Sequence, residues 1–334
     1  MNGKHIERVI GQIRRIMPLR QYFVVAGPRS GTTWMQRTLN SHPQIYCTER
    51  RLFGEYADFV YDDGNATPRL RVTLDKFVSA SLSHQNLPGY LHDKVILLFL
   101  RQLQKLERSF SGKRILVDKI TPYIGTSEIV ADHISRFCPG AGVIYLLRDG
   151  RDVATSGVFH WFNRELNTTR VLEFKQMRRK ALEENRLADL DRFFTDDEIE
   201  EWALTWVEPL RTIQAMKERQ HPVCLVRYEN MIDDQESELK LVVEFLGGSV
   251  SQSNIEHCIE ASSFEQMSGS RSRGDAAPTH HIRKGIVGDW KNYFVQRDGE
   301  LFDHFAGKEL LEYGYENDPK WYEKLPARFG FSNS

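Results

Sequence analysis

The segment Gly27-Pro28-Arg29-Ser30-Gly31-Thr32-Thr33 gathers residue types suited to holding an oxyanion. Gly27 and Gly31 permit a tight turn whose backbone N–H groups point inward. A helix beginning at about Thr32 brings its positive end to the same point. Thr32 and Thr33 add hydroxyl donors, and Arg29 adds a fixed positive charge. The chemistry implied is capture of a phosphate or sulfate group. The loop is not of the GxxxxGK[ST] kind, because the spacing here is GxxxGTT and the cation precedes the second glycine. The plain alternative is a strand-to-helix turn with two N-capping threonines.

Two later segments offer anion contacts of their own. Arg148 and Ser156 in YLLRDGRDVATSGVFHW stand eight residues apart, so a loop folding back into a helix turns both toward one anion. The alternative is a strand-end arginine paired with Asp149 or Asp152. In RKGIVGDWKN, Arg283 and Lys284 supply two charges beside the unhindered backbone of Gly285, and Gly288 permits a tight turn before a helix. A basic surface turn is the alternative there. Lys119 closes the apolar run RILVDK, where a lone lysine is ordinarily a solvated charge.

In this order the segments resemble the sulfotransferases that use 3′-phosphoadenosine 5′-phosphosulfate (PAPS). PRSGTTWMQRTLNSHP (Pro28 to Pro43) is similar to that family's 5′-phosphosulfate loop. The resemblance implies that Arg29, Ser30, Gly31, Thr32 and Thr33 hold the 5′-phosphosulfate and that Trp34 lies along the adenine. It assigns Arg148 and Ser156 to the 3′-phosphate, and Arg283, Lys284 and Gly285 to a segment closing over the nucleotide. SSFEQM and VRYENM resemble short segments that reach the base, with Ser262, Phe264 and Tyr228 as the contacts; each is also at home in a plain core. Lys119, followed by ITPY, resembles the lysine of the KxP segment of carbohydrate sulfotransferases and would neutralise the leaving group. Small-molecule members place a histidine two residues after that lysine, where this chain has Thr121, a poor base near neutral pH. TERRLF (Thr48 to Phe53) resembles instead the glutamate-bearing segment of the carbohydrate and tyrosyl-protein branches, with Thr48 in place of its lysine. It implies Glu49 as general base, with Glu55, His42 and His160 as reserves. The nucleotide motifs are thus of cytosolic type and the catalytic segment of carbohydrate type. The implied co-substrate is PAPS, the product adenosine 3′,5′-bisphosphate (PAP), and no metal is required. Two other classes stay open: a P-loop kinase with Asp118 on magnesium, and a non-catalytic nucleotide-binding module.

Positioning these residues takes an α/β fold. Apolar runs at Gln21–Gly27, Arg114–Lys119, Gly142–Asp149 and Pro222–Glu229 read as strands. Helical patterns lie between them, at about 32–40, 91–110, 171–218 and 236–245. Strands apolar throughout and separated by helices predict a P-loop-like sulfotransferase fold, with a central parallel sheet covered on both faces. No linker divides the 334 residues, so 1–334 reads as one domain. Lys plus Arg is 45 against 46 Asp plus Glu, a net charge of −1. No global field for nucleic acid exists, and any anion site must be local. Cys47, Cys138, Cys224 and Cys258 form no CxxC pair and read as reduced thiols. Ile6, Val9, Ile10, Ile13 and Ile16 recur at helical spacing among Lys and Arg, fitting a short packed helix or a membrane-surface one. With no signal peptide and no run of about 20 apolar residues, the expectation is a cytoplasmic enzyme acting on a small-molecule or glycan acceptor. The segments 53–100 and 159–201 would shape the acceptor pocket. There Phe159, Trp161 and Phe162 either stack on substrate or fill the core.

Overall fold

The four apolar runs are strands, and a fifth joins them. They are β1 (Tyr22–Val25), β2 (Ile45–Thr48), β3 (Ile115–Ile120), β4 (Val143–Leu147) and β5 (Val223–Arg227). The computed structural model describes residues 21–49, 53, 77–83, 91–162, 173–184, 186–269, 272, 274 and 284–329. The expected N-terminal helix, Glu55, Arg283, most of the loop 268–281 and the side chains of Trp161 and Phe162 lie outside them. The strands form one parallel sheet in the order β2-β3-β1-β4-β5. Parallel neighbours cannot be joined by tight hairpins, so each connection crosses a face of the sheet.

Alternation along the strands fills both faces. Phe23, Val25, Val143, Tyr145 and Leu147 enter one core. Val24, Ala26, Ile144 and Leu146 enter the other. The helices are α1 (Thr32–Ser41), α2 (Leu91–Ser111), α3 (Ser127–Phe137), α4 (Gly150–Phe162), α5 (Glu173–Glu183) and α6 (Asp196–Glu218), then α7 (Tyr228–Asp233), α8 (Gln235–Phe245), α9 (Gln252–Ala261), α10 (Phe264–Ser268) and α11 (Gln296–Glu312). Residues of α2, α3, α4, α6 and α11 pack into the first core. Those of α1, α7, α8 and α9 pack into the second. The long helix α6 starts on a capping box, in which the Thr195 hydroxyl accepts from Glu198 N–H and Glu198 accepts from Thr195 N–H.

Two expectations change. β2 was not anticipated, and the strand expected over Pro222–Glu229 ends at Arg227, with Tyr228 opening α7. All four cysteines are free. Among the described residues no helix is long and apolar enough to cross a membrane.

Candidate active site

The chain leaves β1 through a strained turn. Arg29 holds a positive φ of 65° and Gly31 one of 89°. A side chain at Arg29 resists that conformation, and such strain persists only where its surroundings enforce it. At Gly31 a Cβ would also lie 2.8 Å from the Tyr228 ring, so backbone and ring can approach only with glycine there. Gly31 is the N-cap of α1, and no side chain caps that end. Thr32 and Thr33 are the first two residues of the helix, which corrects the N-capping alternative. The amino end of α1 is therefore left to the loop, as an anion site requires.

The second motif meets the first here. Arg29 Nε donates to Ser156 Oγ at 3.3 Å, and Arg148 Nη1 donates to the Arg29 carbonyl at 2.9 Å. The Arg148 guanidinium lies 4.3 Å over the Tyr228 ring, and Tyr228 stands edge-on to Trp34 at 5.7 Å. Trp34, Tyr228 and Arg148 are all buried. Trp206 Nε1 fixes the backbone by donating to the Arg148 carbonyl at 2.8 Å. Burial works against the Arg148 charge, but Tyr228, Asp152, Glu229 and Asp149 outweigh it and hold its pKa above the ordinary value. Asp152 stands 3.9 Å from the guanidinium, a loose pairing. Arg148 Nε is buried and has no hydrogen-bond partner among the described residues. A buried donor of that kind fits an anionic ligand.

The third motif docks on the same arginine. Arg148 Nη2 donates to the Ile286 carbonyl at 3.1 Å. Asp152 accepts from Gly288 N–H at 2.7 Å and from Trp290 N–H at 2.9 Å, pinning the segment to α4. Burial raises the Asp152 pKa, while Arg148 and these two amides pull it down. Gly285, at φ 67°, packs so closely on Phe264 that a Cβ would sit 2.5 Å from the ring. Lys284 turns to Asp289 at 2.8 Å and toward the Tyr293 hydroxyl at 3.5 Å. Ser262 is fully buried, and its hydroxyl donates to the Cys258 carbonyl at 2.6 Å. Asp152 is the residue that sequence reasoning undervalued, naming it only as a salt-bridge partner. Its signal was its place four residues after Arg148, in the first turn of α4.

On the other side of β1 stand the two residues considered for chemistry. The register sets Val24 beside Lys119 and Thr48 beside Asp118, so Glu49 continues β2 at the level of Lys119. Lys119 Nζ and Glu49 Oε2 form an ion pair at 2.9 Å, the lysine buried and the glutamate partly open. Thr121, two residues on, is half-buried. Asp118 is buried on the opposite face and accepts from Thr48 Oγ1 at 3.1 Å. Among the described residues no three His, Cys, Asp or Glu are grouped to hold a metal.

The reserve base His42 is corrected. It sits at the far end of α1, where Nδ1 accepts from Gln44 N–H at 3.1 Å and Nε2 meets the Ser249 carbonyl at 2.9 Å. Burial lowers its pKa. His160 lies one turn beyond Ser156 on α4 and is half-buried. Phe159 is core, packed against Phe193 at 5.1 Å and Tyr293 at 5.2 Å.

A family model described as "Sulfotransferase domain" matches residues 19–314. Sulfotransferase 2A6 of Mus musculus is 28% identical over 210 residues, covering 58% of this chain and 66% of its own length. Sulfotransferase 2A1 of Rattus norvegicus is 28% identical over 202 residues, covering 58% and 65%. Sulfotransferase 1B1 of Mus musculus is 25% identical over 297 residues, covering 85% and 80%. The chain thus spans just under two thirds of the length of the first two relatives. Similar solved structures include mouse sulfotransferase SULT7A1 complexed with PAP, at 19% identity and TM-score 0.49, covering 91% of this chain and 88% of that one. Another is retinol dehydratase in complex with androsterone and inactive cofactor PAP, at 20% identity and TM-score 0.46, covering 88% and 82%.

Proposed function

Because the chain belongs to the sulfotransferase-domain family, we propose that it transfers a sulfuryl group from PAPS to an acceptor hydroxyl or amine. One observation carries this reading: the carboxyl ends of all five parallel strands deliver motif residues to one edge of the sheet. There β1 gives the Arg29–Thr33 loop, β2 gives Glu49, β3 gives Lys119, β4 gives Arg148 and β5 gives Tyr228. That edge is where open α/β sheets bind ligands.

The co-substrate supplies an activated sulfuryl group and a bisphosphate leaving group. In this reading Arg29, Ser30, the amides from Gly31 onward, Thr32 and Thr33 hold the 5′ end. Arg148, Ser156, Arg283, Lys284 and Gly285 hold the 3′-phosphate, the Arg148 Nε donor among them. Trp34, Tyr228, Ser262 and Phe264 form the base side. The Ser262 hydroxyl already serves the end of α9, so its part is to shape the wall. Glu49 takes the acceptor proton and Lys119 neutralises the leaving oxygen. Their ion pair couples the two acts: a carboxylate that gains a proton loosens its hold on the ammonium.

Residues 1–334 are read as one domain, since both cores lie on one sheet. A cytoplasmic setting fits the four free cysteines. The acceptor class favoured by Glu49 is a polar alcohol or carbohydrate. Calorimetric titration with PAP, without metal, tests the site against ATP with magnesium. PAP binding that weakens in Arg148→Ala and Arg283→Ala, with no ATP binding, supports the reading. ATP preference, or indifference to both changes, would mean that the three motifs do not form this PAP site and would overturn the reading.

A further inference from the structure

Helix α2 has two apolar faces, and among the described residues one is buried and the other exposed. Ile96, Leu97 and Leu100 are buried in the first core. On the opposite side Val95, Leu98, Phe99, Leu106 and Phe110 are exposed, Leu106 at 67% and Phe110 at 90%. At about 100° per residue, these five fall within an arc of roughly 120°. Phe77, 69% exposed in the short helix 77–83, is a further uncovered aromatic.

The charges of α2 are sorted as sharply. Its four cations, Lys94, Arg101, Lys105 and Arg108, project to one flank of the exposed stripe, within a further arc of about 60°. Its carboxylates, Asp93 and Glu107, project to the buried side, where Asp93 binds Arg136. The outer half of α2 is thus an apolar stripe bordered by a row of positive charge and no negative charge. That is the pattern of a helix lying in the headgroup layer of an anionic bilayer.

We propose that α2 docks this chain on anionic lipid surfaces, its stripe entering the headgroup boundary and its cationic flank contacting lipid phosphates. Charge complementarity selects this occupant. A net charge of −1 gives the molecule no general attraction, so the attraction must come from this flank. The segment 1–20 carries Lys4, Arg8, Arg14, Arg15 and Arg20 against Glu7 alone, so its charge does not complement that of the flank. A second copy of α2 laid antiparallel would bring two basic helices together.

Flotation of the full-length protein with phosphatidylcholine vesicles, with and without phosphatidylserine, tests the proposal. The protein is expected to float only with phosphatidylserine and to be released by high salt. Leu106→Ser with Phe110→Ser, and separately Lys105→Glu with Arg108→Glu, should each weaken binding roughly tenfold or more. All four positions are exposed, and an unchanged Tm verifies folding. No flotation with phosphatidylserine overturns the proposal. So does flotation that survives both double variants but is lost on deleting residues 2–18, which assigns it to the N-terminal segment. A vesicle-free dimer dissolved by the serine variants also overturns it, giving the face to a second copy.

Discussion

Glu49 and Lys119 form one buried-to-open ion pair at the head of the sheet. If Glu49 is the base, Glu49→Gln removes proton acceptance while keeping shape. Turnover should fall by about 10²–10⁴-fold with PAP affinity changed by less than about twofold. Single-turnover rates and calorimetry on one preparation separate the two. Near-normal turnover in Glu49→Gln would remove Glu49 and bring His160 forward, because His42 is spent on the Ser249 and Gln44 backbone. Gly31 makes a different prediction. Gly31→Ala must place a methyl on the Tyr228 ring at positive φ, so both PAP affinity and Tm should fall. A variant with unchanged Tm and weaker PAP binding would still fit a phosphate loop. One with neither change would not.

At the scale of elements, Asp152 decides whether the segment around Gly288 is a closed wall of the site. Its two carboxylate oxygens accept from Gly288 and Trp290. Asp152→Ala should speed amide exchange at Gly288 and Trp290 and weaken PAP binding by roughly ten- to a hundredfold. Asp152→Asn, with one acceptor oxygen left, should fall between. Unchanged exchange would mean the segment is held by other contacts, such as Arg151 stacked 3.8 Å from Trp290.

The start of α11 has a pH signature of its own. Buried Asp298 accepts from Val295 N–H at 3.0 Å and pairs with Arg192, yet burial pushes its pKa up to about 6. A carboxyl raised on folding stabilises most below its unfolded value of about 4, and that contribution is lost as pH rises through about 6. The loss is on the order of 3 kcal/mol for a group this buried. The Tm of the native chain relative to Asp298→Asn should therefore decline between pH 4 and 6 and level off above 7. A difference that rises over that range would show that Arg192 dominates.

Elements were legible where the run is apolar throughout. The runs that became β1, β3 and β4 are also buried almost throughout, whereas β5, at the sheet edge, stood out by its apolar composition alone. β2 did not stand out, because Ile45–Thr48 is a four-residue edge strand alternating buried and half-buried residues. Without it, Glu49 appeared to follow a helix. The sheet instead places it one residue beyond β2, level with Lys119. Spacing led Arg148 and Ser156 to be expected around one anion; in the structure Ser156 accepts from Arg29, a pairing the spacing did not suggest. That Ile286 closes on Arg148 across 138 residues was not readable, since long-range docking leaves no local pattern.

At the scale of the molecule, the site ties the ends of the fold together. Arg29 follows the first strand and Ile286 the last, and Arg148, at the end of β4, bonds both. A ligand accepted by that arginine and by the α1 terminus should stabilise the whole sheet, because it binds only when all three are assembled. Linkage then gives about 2.7 kcal/mol at a hundredfold excess over Kd. For a chain of this size that is a rise in Tm of roughly 4 °C. PAP should produce it without metal, ATP with magnesium should not, and Arg148→Ala should lose most of it while remaining folded at lower Tm. A PAP-induced rise that persists in Arg148→Ala would place the bisphosphate elsewhere. No rise in a well-folded native chain would remove the shared anion site on which the sulfuryl-transfer reading depends.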